Sequence, residues 1–168
     1  MKKEDRYIVI LAGGLGINFW PFSRRQRPKQ FLDLLGTGRT LLQMTYDRYV
    51  NHFENYQFII VTNKEYFTLV KDQLPDIPEG QILVEPMQRN TAASIALASY
   101  KIQKLNPNAK VLISPSDQLI FNEKLFFEAI DKAMEGASSL GKLITIGIKP
   151  NRPDTDFGYI QFFPETGQ

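Results

Sequence analysis

The sequence predicts an α/β protein of three layers, α/β/α, in which helices cover both faces of a mostly parallel sheet. Two observations carry this. Short runs rich in Ile and Val recur along the chain and hardly alternate with polar residues, as strands covered on both faces do. Helical patterns lie between the runs, and strands joined through helices pair parallel. At 168 residues the chain is long enough for one compact domain with a core and short of two, so residues 1–168 are expected to form a single domain.

The expected strands are YIVIL (7–11), FIIV (58–61), ILV (82–84), VLI (111–113) and LITIGI (143–148). The tail GYIQFFPETGQ carries a further strand pattern. The first helix should start at Thr40, which with Gln43 makes a capping-box pair, and Leu42, Thr45, Tyr46, Tyr49, Val50 and Phe53 follow at helical spacing. Asn63 is placed to cap a helix bearing Tyr66, Leu69, Val70 and Leu74. Residues 91–104 are alanine-rich with helical spacing, and Asn122 precedes a helix with an apolar face of Phe126, Ile130, Ala133, Met134 and Ala137.

Composition removes several chemistries. There is no cysteine, hence no disulfide, thiolate catalysis or Cys-zinc site, and the single histidine, His52, excludes a histidine metal cluster. A net charge of +2 argues for neither a nucleic-acid nor a membrane partner. The apolar run after MKKEDRY is too short for a signal sequence or a span, and the default location is the cytoplasm.

In open parallel sheets, ligands sit beyond the carboxyl ends of the strands. Three stretches follow expected strands and should converge on one crevice: the glycine loop after YIVIL, EPMQRNT after ILV, and SPSDQ after VLI. In the first, LAGGLGINFWPFSRRQRPKQF (11–31), Gly13, Gly14 and Gly16 expose bare backbone beside a knot of basic residues. Backbone amides without flanking side chains let a phosphate approach closely. The loop is neither a Walker A sequence nor a dinucleotide fingerprint: Phe19 stands where a third glycine is needed, and Pro21 and Pro28 lengthen the loop. The alternative is a glycine-rich turn with no ligand.

The pattern LAGGLGxxxWPxSxxxxPKQFL resembles the signature of sugar nucleotidyltransferases, and most closely of the mannose-1-phosphate guanylyltransferases. EPMQRNTAASIAL (85–97), ISPSDQLI (113–120) and GIKPNRPDTDFGYIQF (147–162) match further motifs in order. The resemblance implies a Rossmann-like fold of the nucleotide-diphospho-sugar transferase type. It also implies the reaction of GTP with mannose 1-phosphate to GDP-mannose and pyrophosphate, with Mg²⁺ as cofactor. On this resemblance Leu11, Ala12, Gly13, Gly14 and Gly16 hold the nucleotide with Glu85, Arg89, Asn90 and Thr91. Lys29 is the signature lysine on phosphate, Asp117 the metal-binding aspartate, and Gly158 and Tyr159 lie on the sugar side. Each has a plainer reading: Lys29 as a solvated lysine, Asp117 as a loop cap, Thr91 as a helix N-cap. Arg24, Arg25 and Arg27 match no fixed catalytic position and read as a solvated basic edge.

The sequence departs from the pattern in three places. Ile17 and Asn18 stand where relatives have Thr or Ser and then Arg, so Asn18 occupies the catalytic arginine's place without its charge. Gln118 stands where His is frequent. Asp156 and Phe157 replace Gly-Tyr before Gly158-Tyr159. The family domain continues through a Glu-Lys-Pro segment, an Asn-x-Gly segment and a second aspartate that do not occur here. The chain is therefore expected to be the N-terminal, nucleotide-binding portion, inactive alone, with an exposed sheet edge that invites homo-oligomers. Three readings stay open: part of a guanylyltransferase (or of a nucleotidyltransferase acting on another sugar phosphate), a non-catalytic nucleotide-binding or regulatory module, and an α/β domain without ligand.

Overall fold

A computed structural model describes residues 5–53, 57–155 and 157–161. Two compact units divide between Phe121 and Asn122. The first contains the whole sheet: β1 (Arg6–Leu11), β2 (Gln57–Asn63), β3 (Ile82–Glu85) and β4 (Lys110–Pro115), in the order β3-β2-β1-β4 and parallel throughout. Its helices are α1 (Leu41–His52), α2 (Phe67–Gln73) and α3 (Asn90–Leu105).

The apolar runs form strands because both faces of each are covered. On one face Tyr7, Val9, Ile59 and Val61 pack with Ala98 and Ile102 of α3. On the other, Phe58 meets Tyr46 of α1 edge-on, with ring centroids 5.0 Å apart. Helices therefore lie on opposite faces, as expected for three layers. Ile8, Ile10 and Ile60 are fully buried between them.

The helix starts follow the local signals. Thr40 accepts from the Gln43 amide while the Gln43 side chain accepts from the Thr40 amide, the reciprocal box that the spacing predicts. Asn63 caps as expected, but its helix opens as a 3₁₀ turn over Lys64–Tyr66 before α2. Thr91 is not an N-cap. Helix α3 begins one residue earlier, after Arg89, and Asn90 enters it with φ 64°, a left-handed conformation that Asn tolerates better than most residues.

The second unit holds α4 (Glu123–Leu140), capped by Asn122 through the Leu125 amide and ended by Gly141 at φ 60°. The expected strand at 143–148 is not formed: residues 141–150 carry no regular structure, and Leu143 and Ile148 are exposed. An apolar run becomes a strand only where a neighbour offers a ladder, and no described strand pairs with this one. Residues 158–161 of the tail are likewise irregular, and 162–168, like Asp156, lie outside the described residues. No described helix is long and apolar enough to cross a membrane.

Candidate functional site

The strand order places the site. From β1 the chain moves outward to β2 and β3, then returns through α3 to the other side of β1 as β4. The strand order thus reverses between β1, whose connection runs outward to β2, and β4, which is reached from β3, and the carboxyl ends of β1 and β4 flank the switch point where such sheets bind ligands.

The glycine loop leaves β1 at this point, held through its carbonyls. The Gln30 carboxamide, buried in the 3₁₀ turn Lys29–Phe31, donates to the carbonyls of Ala12 (3.2 Å) and Gly14 (2.8 Å). Thr62 Oγ1 donates to Ala12 O at 3.2 Å. Asn63 Nδ2 and Gln88 Nε2 donate to Gly13 O, and Ser23 Oγ donates to Leu15 O at 3.3 Å. The Phe19 amide takes Gly16 O at 3.1 Å. Every carbonyl from Ala12 to Gly16 is therefore paired. Among the described residues, no acceptor pairs with the amides of Gly13, Gly14, Leu15 or Gly16.

The two flanking glycines are there for different reasons. Gly16 has φ 63°, and a Cβ on it would come within 2.6 Å of Ser23 Oγ and 2.9 Å of Lys29 Cγ. At Gly14 a Cβ would meet nothing within 4 Å, so its side faces open space.

Lys29 and Asp117, which the resemblance assigns from two separate motifs, meet: Lys29 Nζ lies 2.6 Å from Asp117 Oδ2, both side chains about one-quarter exposed. The Lys29 ammonium also lies 5.1 Å from the centre of the Phe19 ring. The Asp117 turn is fixed by α1, where Thr45 Oγ1 donates to Ser116 O at 3.2 Å, Arg48 Nη2 to Gln118 O at 3.5 Å, and Tyr49 OH to Ser114 Oγ at 2.9 Å. Burial pushes the Tyr49 phenol up, so it stays a donor.

On the β2–β3 side of the loop opens a cleft of about 680 Å³ whose walls include Leu15, Ile17, Trp20, Glu85, Met87 and Gln88. Ile17 and Trp20 are exposed there, and Glu85 is buried with Oε1 accepting from Ser94 Oγ at 2.5 Å. Arg24, Arg25 and Lys64 face the same cleft. Arg25 is engaged with Glu65 through two bonds, Nε to Oε2 at 3.2 Å and Nη2 to Oε1 at 2.6 Å, which hold the Glu65 carboxyl below the usual carboxylate range.

The expected convergence is thus partial. The glycine loop meets Glu85 and Gln88 across the cleft and Asp117 through Lys29 on its other side. Arg89, Asn90 and Thr91 are exposed and do not line the cleft. Asn18 falls in the short 3₁₀ turn Ile17–Phe19. Gly158 and Tyr159 belong to the second unit, where the Tyr159 hydroxyl donates to Asp154 O at 3.0 Å and accepts from its amide at 2.7 Å.

Sequence reasoning missed the residues that hold the loop. Gln30 lies in the PKQF stretch, where the sequence pattern assigns it no role. Thr62 and Asn63 were visible as a polar pair closing a buried apolar strand, level with the loop.

Asp117 presents a single carboxylate beside the loop, paired with Lys29, and no group of three or more His, Asp or Glu among the described residues could share a metal. That donor set fits Mg²⁺ carried in by phosphate oxygens, since this ion keeps most of its waters and takes one or two protein carboxylates.

A parallel sheet with a glycine loop stapled at its carbonyls and a lysine beside it, at the carboxyl end of β1, defines an α/β protein of the open parallel-sheet class. The Nucleotidyl transferase family matches residues 7–168, and the chain belongs to that family. It is 39% identical over 155 residues to a mannose-1-phosphate guanylyltransferase of Escherichia coli, covering 91% of this chain and 32% of that protein. It is 38% identical over 166 residues to the xanthan biosynthesis protein XanB of Xanthomonas campestris, covering 98% and 35%. The chain therefore spans about a third of the length of these relatives. Among solved structures, one described as a mannose-1-phosphate geranyltransferase from Thermus thermophilus matches with TM-score 0.67 and 28% identity, covering 79% of this chain and 38% of that one. A mannose-6-phosphate isomerase from Helicobacter pylori shares the fold at TM-score 0.68 and 24% identity, covering 91% and 54%.

Proposed function

We propose that this chain is the nucleotide-holding part of a mannose-1-phosphate guanylyltransferase, in which GTP and mannose 1-phosphate give GDP-mannose and pyrophosphate. The observation that carries this reading is the row of four unpaired amides, Gly13 to Gly16, beside Lys29 at the sheet's switch point. Oriented amides and a flexible cation suit a triphosphate whose charge moves during transfer. Asp117 is the residue that would hold Mg²⁺, which supplies positive charge to the phosphate oxygens. Lys29 then exchanges the Asp117 carboxylate for phosphate, and the loop amides orient the chain of phosphates for attack at the α-phosphorus.

Calorimetric titration with Mg-GTP tests this. Saturable binding is expected, lost at least about tenfold in Lys29→Ala and in Gly14→Val, with the thermal midpoint of Gly14→Val unchanged. Absence of heat with GTP, ATP and dTTP at millimolar concentration overturns it. We assign binding rather than turnover to this chain, and pyrophosphate release that depends on mannose 1-phosphate overturns that division.

A second reading, a nucleotide-binding module without transfer, is favoured by one residue: Asn18 carries no charge where relatives have arginine. Placed in a protein spanning the relatives' full length, Asn18→Arg separates the two. A gain in kcat of at least about tenfold supports the enzyme, and no turnover in either form supports the module.

A further inference from the structure

The four outward amides of the glycine loop have a mechanical cause. In a trans peptide the carbonyl of one residue and the amide of the next point in opposite directions. A donor that draws a carbonyl inward therefore turns the next amide outward. Gln30 draws in the carbonyls of Ala12 and Gly14, which turns out the amides of Gly13 and Leu15. Asn63 and Gln88, on the cleft wall, hold that of Gly13 and so turn the Gly14 amide away from themselves. Ser23 draws in that of Leu15 and turns out Gly16. The same Ser23 oxygen accepts from the Lys29 amide at 3.0 Å, so it ties the loop to the backbone of the lysine.

We propose that Gln30 is a positioning residue for polyphosphate binding, which with Ser23 sets the loop amides and Lys29 at a fixed spacing for the same anion. This rests on the nucleotide-binding reading above. A carboxamide nitrogen has two hydrogens to give, and here they go to carbonyls two residues apart. Gln30 is 2% exposed, so its two bonds are shielded from water and keep one geometry. Gln30 touches no substrate in this arrangement; it acts through the peptides it turns. Its neighbour in sequence, Lys29, supplies the charge, so one short turn both aims the amides and carries the cation.

The test uses the full chain with three probes: Mg-GTP, inorganic tripolyphosphate and guanosine. Gln30→Met keeps the volume and removes both donors. Affinity for GTP and tripolyphosphate is expected to fall about tenfold or more, the scale of one or two oriented hydrogen bonds, while guanosine affinity measured by ligand-detected NMR stays within about twofold of the parent. A proportional fall in all three would mark Gln30 as a general structural support and overturn the proposal. So would unchanged affinity for tripolyphosphate. If Gln30→Met does not fold, the parent chain decides: on adding tripolyphosphate, the ¹⁵N amide signals of Gly13, Gly14, Leu15 and Gly16 are expected to shift while the Gln30 side-chain signals stay in place. Movement of the Gln30 signals on the same scale would show that it lets go, and overturns the proposal. A parent chain that binds neither GTP nor tripolyphosphate overturns the nucleotide-binding reading itself, whereas binding retained in Gln30→Met overturns only the positioning role.

Discussion

Gly14 and Gly16 look alike in the sequence and differ in what their backbone demands. Gly16 sits in the left-handed region against Ser23 and Lys29, whereas Gly14 has free space beside it. Gly16→Ala is expected to cost about 1–2 kcal/mol from the positive φ alone, with more from the contact at 2.6 Å; Gly14→Ala is expected to leave the thermal midpoint unchanged. Paired melts of the two variants check this, and equal midpoints would refute it. The Lys29–Asp117 pair gives a second outcome. Asp117 neutralises the lysine that the proposed function assigns to phosphate, so Asp117→Asn should free it. Tripolyphosphate without metal should then bind several-fold more tightly, while any strengthening of GTP binding by Mg²⁺ disappears. A calorimetric series with and without Mg²⁺ reads both; tighter metal-free binding in the parent than in the variant would sink the idea. The sequence made both residues visible through their motifs. It could not show that they touch, because that contact joins loops separated by most of the first unit.

Among the elements, α1 carries the most: a box at its start and three polar anchors beneath the Asp117 turn. Thr40→Ala removes the side-chain half of the box and is expected to cost about 1 kcal/mol, read as a lower denaturant midpoint with an unchanged slope. The loss should exceed that of an exposed cap, because Thr40 Oγ1 also donates to Gln73 Oε1 at 2.7 Å; a change under about 0.3 kcal/mol would contradict the role. Caps and apolar runs were legible because each is written in a handful of neighbouring residues. The run at 143–148 shows the limit of that reading. Its Ile and Leu satisfy a strand's composition, yet a strand is completed by a ladder from elsewhere in the chain. The cap at Thr91 fails in the opposite way: Asn90 accepts a left-handed backbone and starts α3 before the threonine is reached.

For the whole molecule, a ligand that binds only the folded first unit stabilises it by mass action. GTP at about a hundred times its dissociation constant should add about 2.7 kcal/mol, seen as a rise of the unfolding transition in calorimetry that guanosine does not match at equal concentration. No rise would contradict binding to the folded state. The layer order and the placing of the three candidate loops after the strands were legible from alternation alone. The switch point was not, because nothing in the apolar runs tells β4 to return beside β1 rather than to extend beyond β3. That single topological choice separates the open cleft, beside β2 and β3, from the charged pair beside β4.

The loop's inward carbonyls also set how its protons trade with water. The Ala12 amide is bonded to Val61 O at 2.8 Å, and the next amide, Gly13, has no described acceptor. Across one peptide link, hydrogen exchange should therefore pass from among the slowest in the chain to among the fastest, although both groups ride on the same firmly held backbone. Rapid exchange from Gly13 to Gly16 would resemble that of a floppy segment, and here it would instead report donors kept facing solvent by a rigid support.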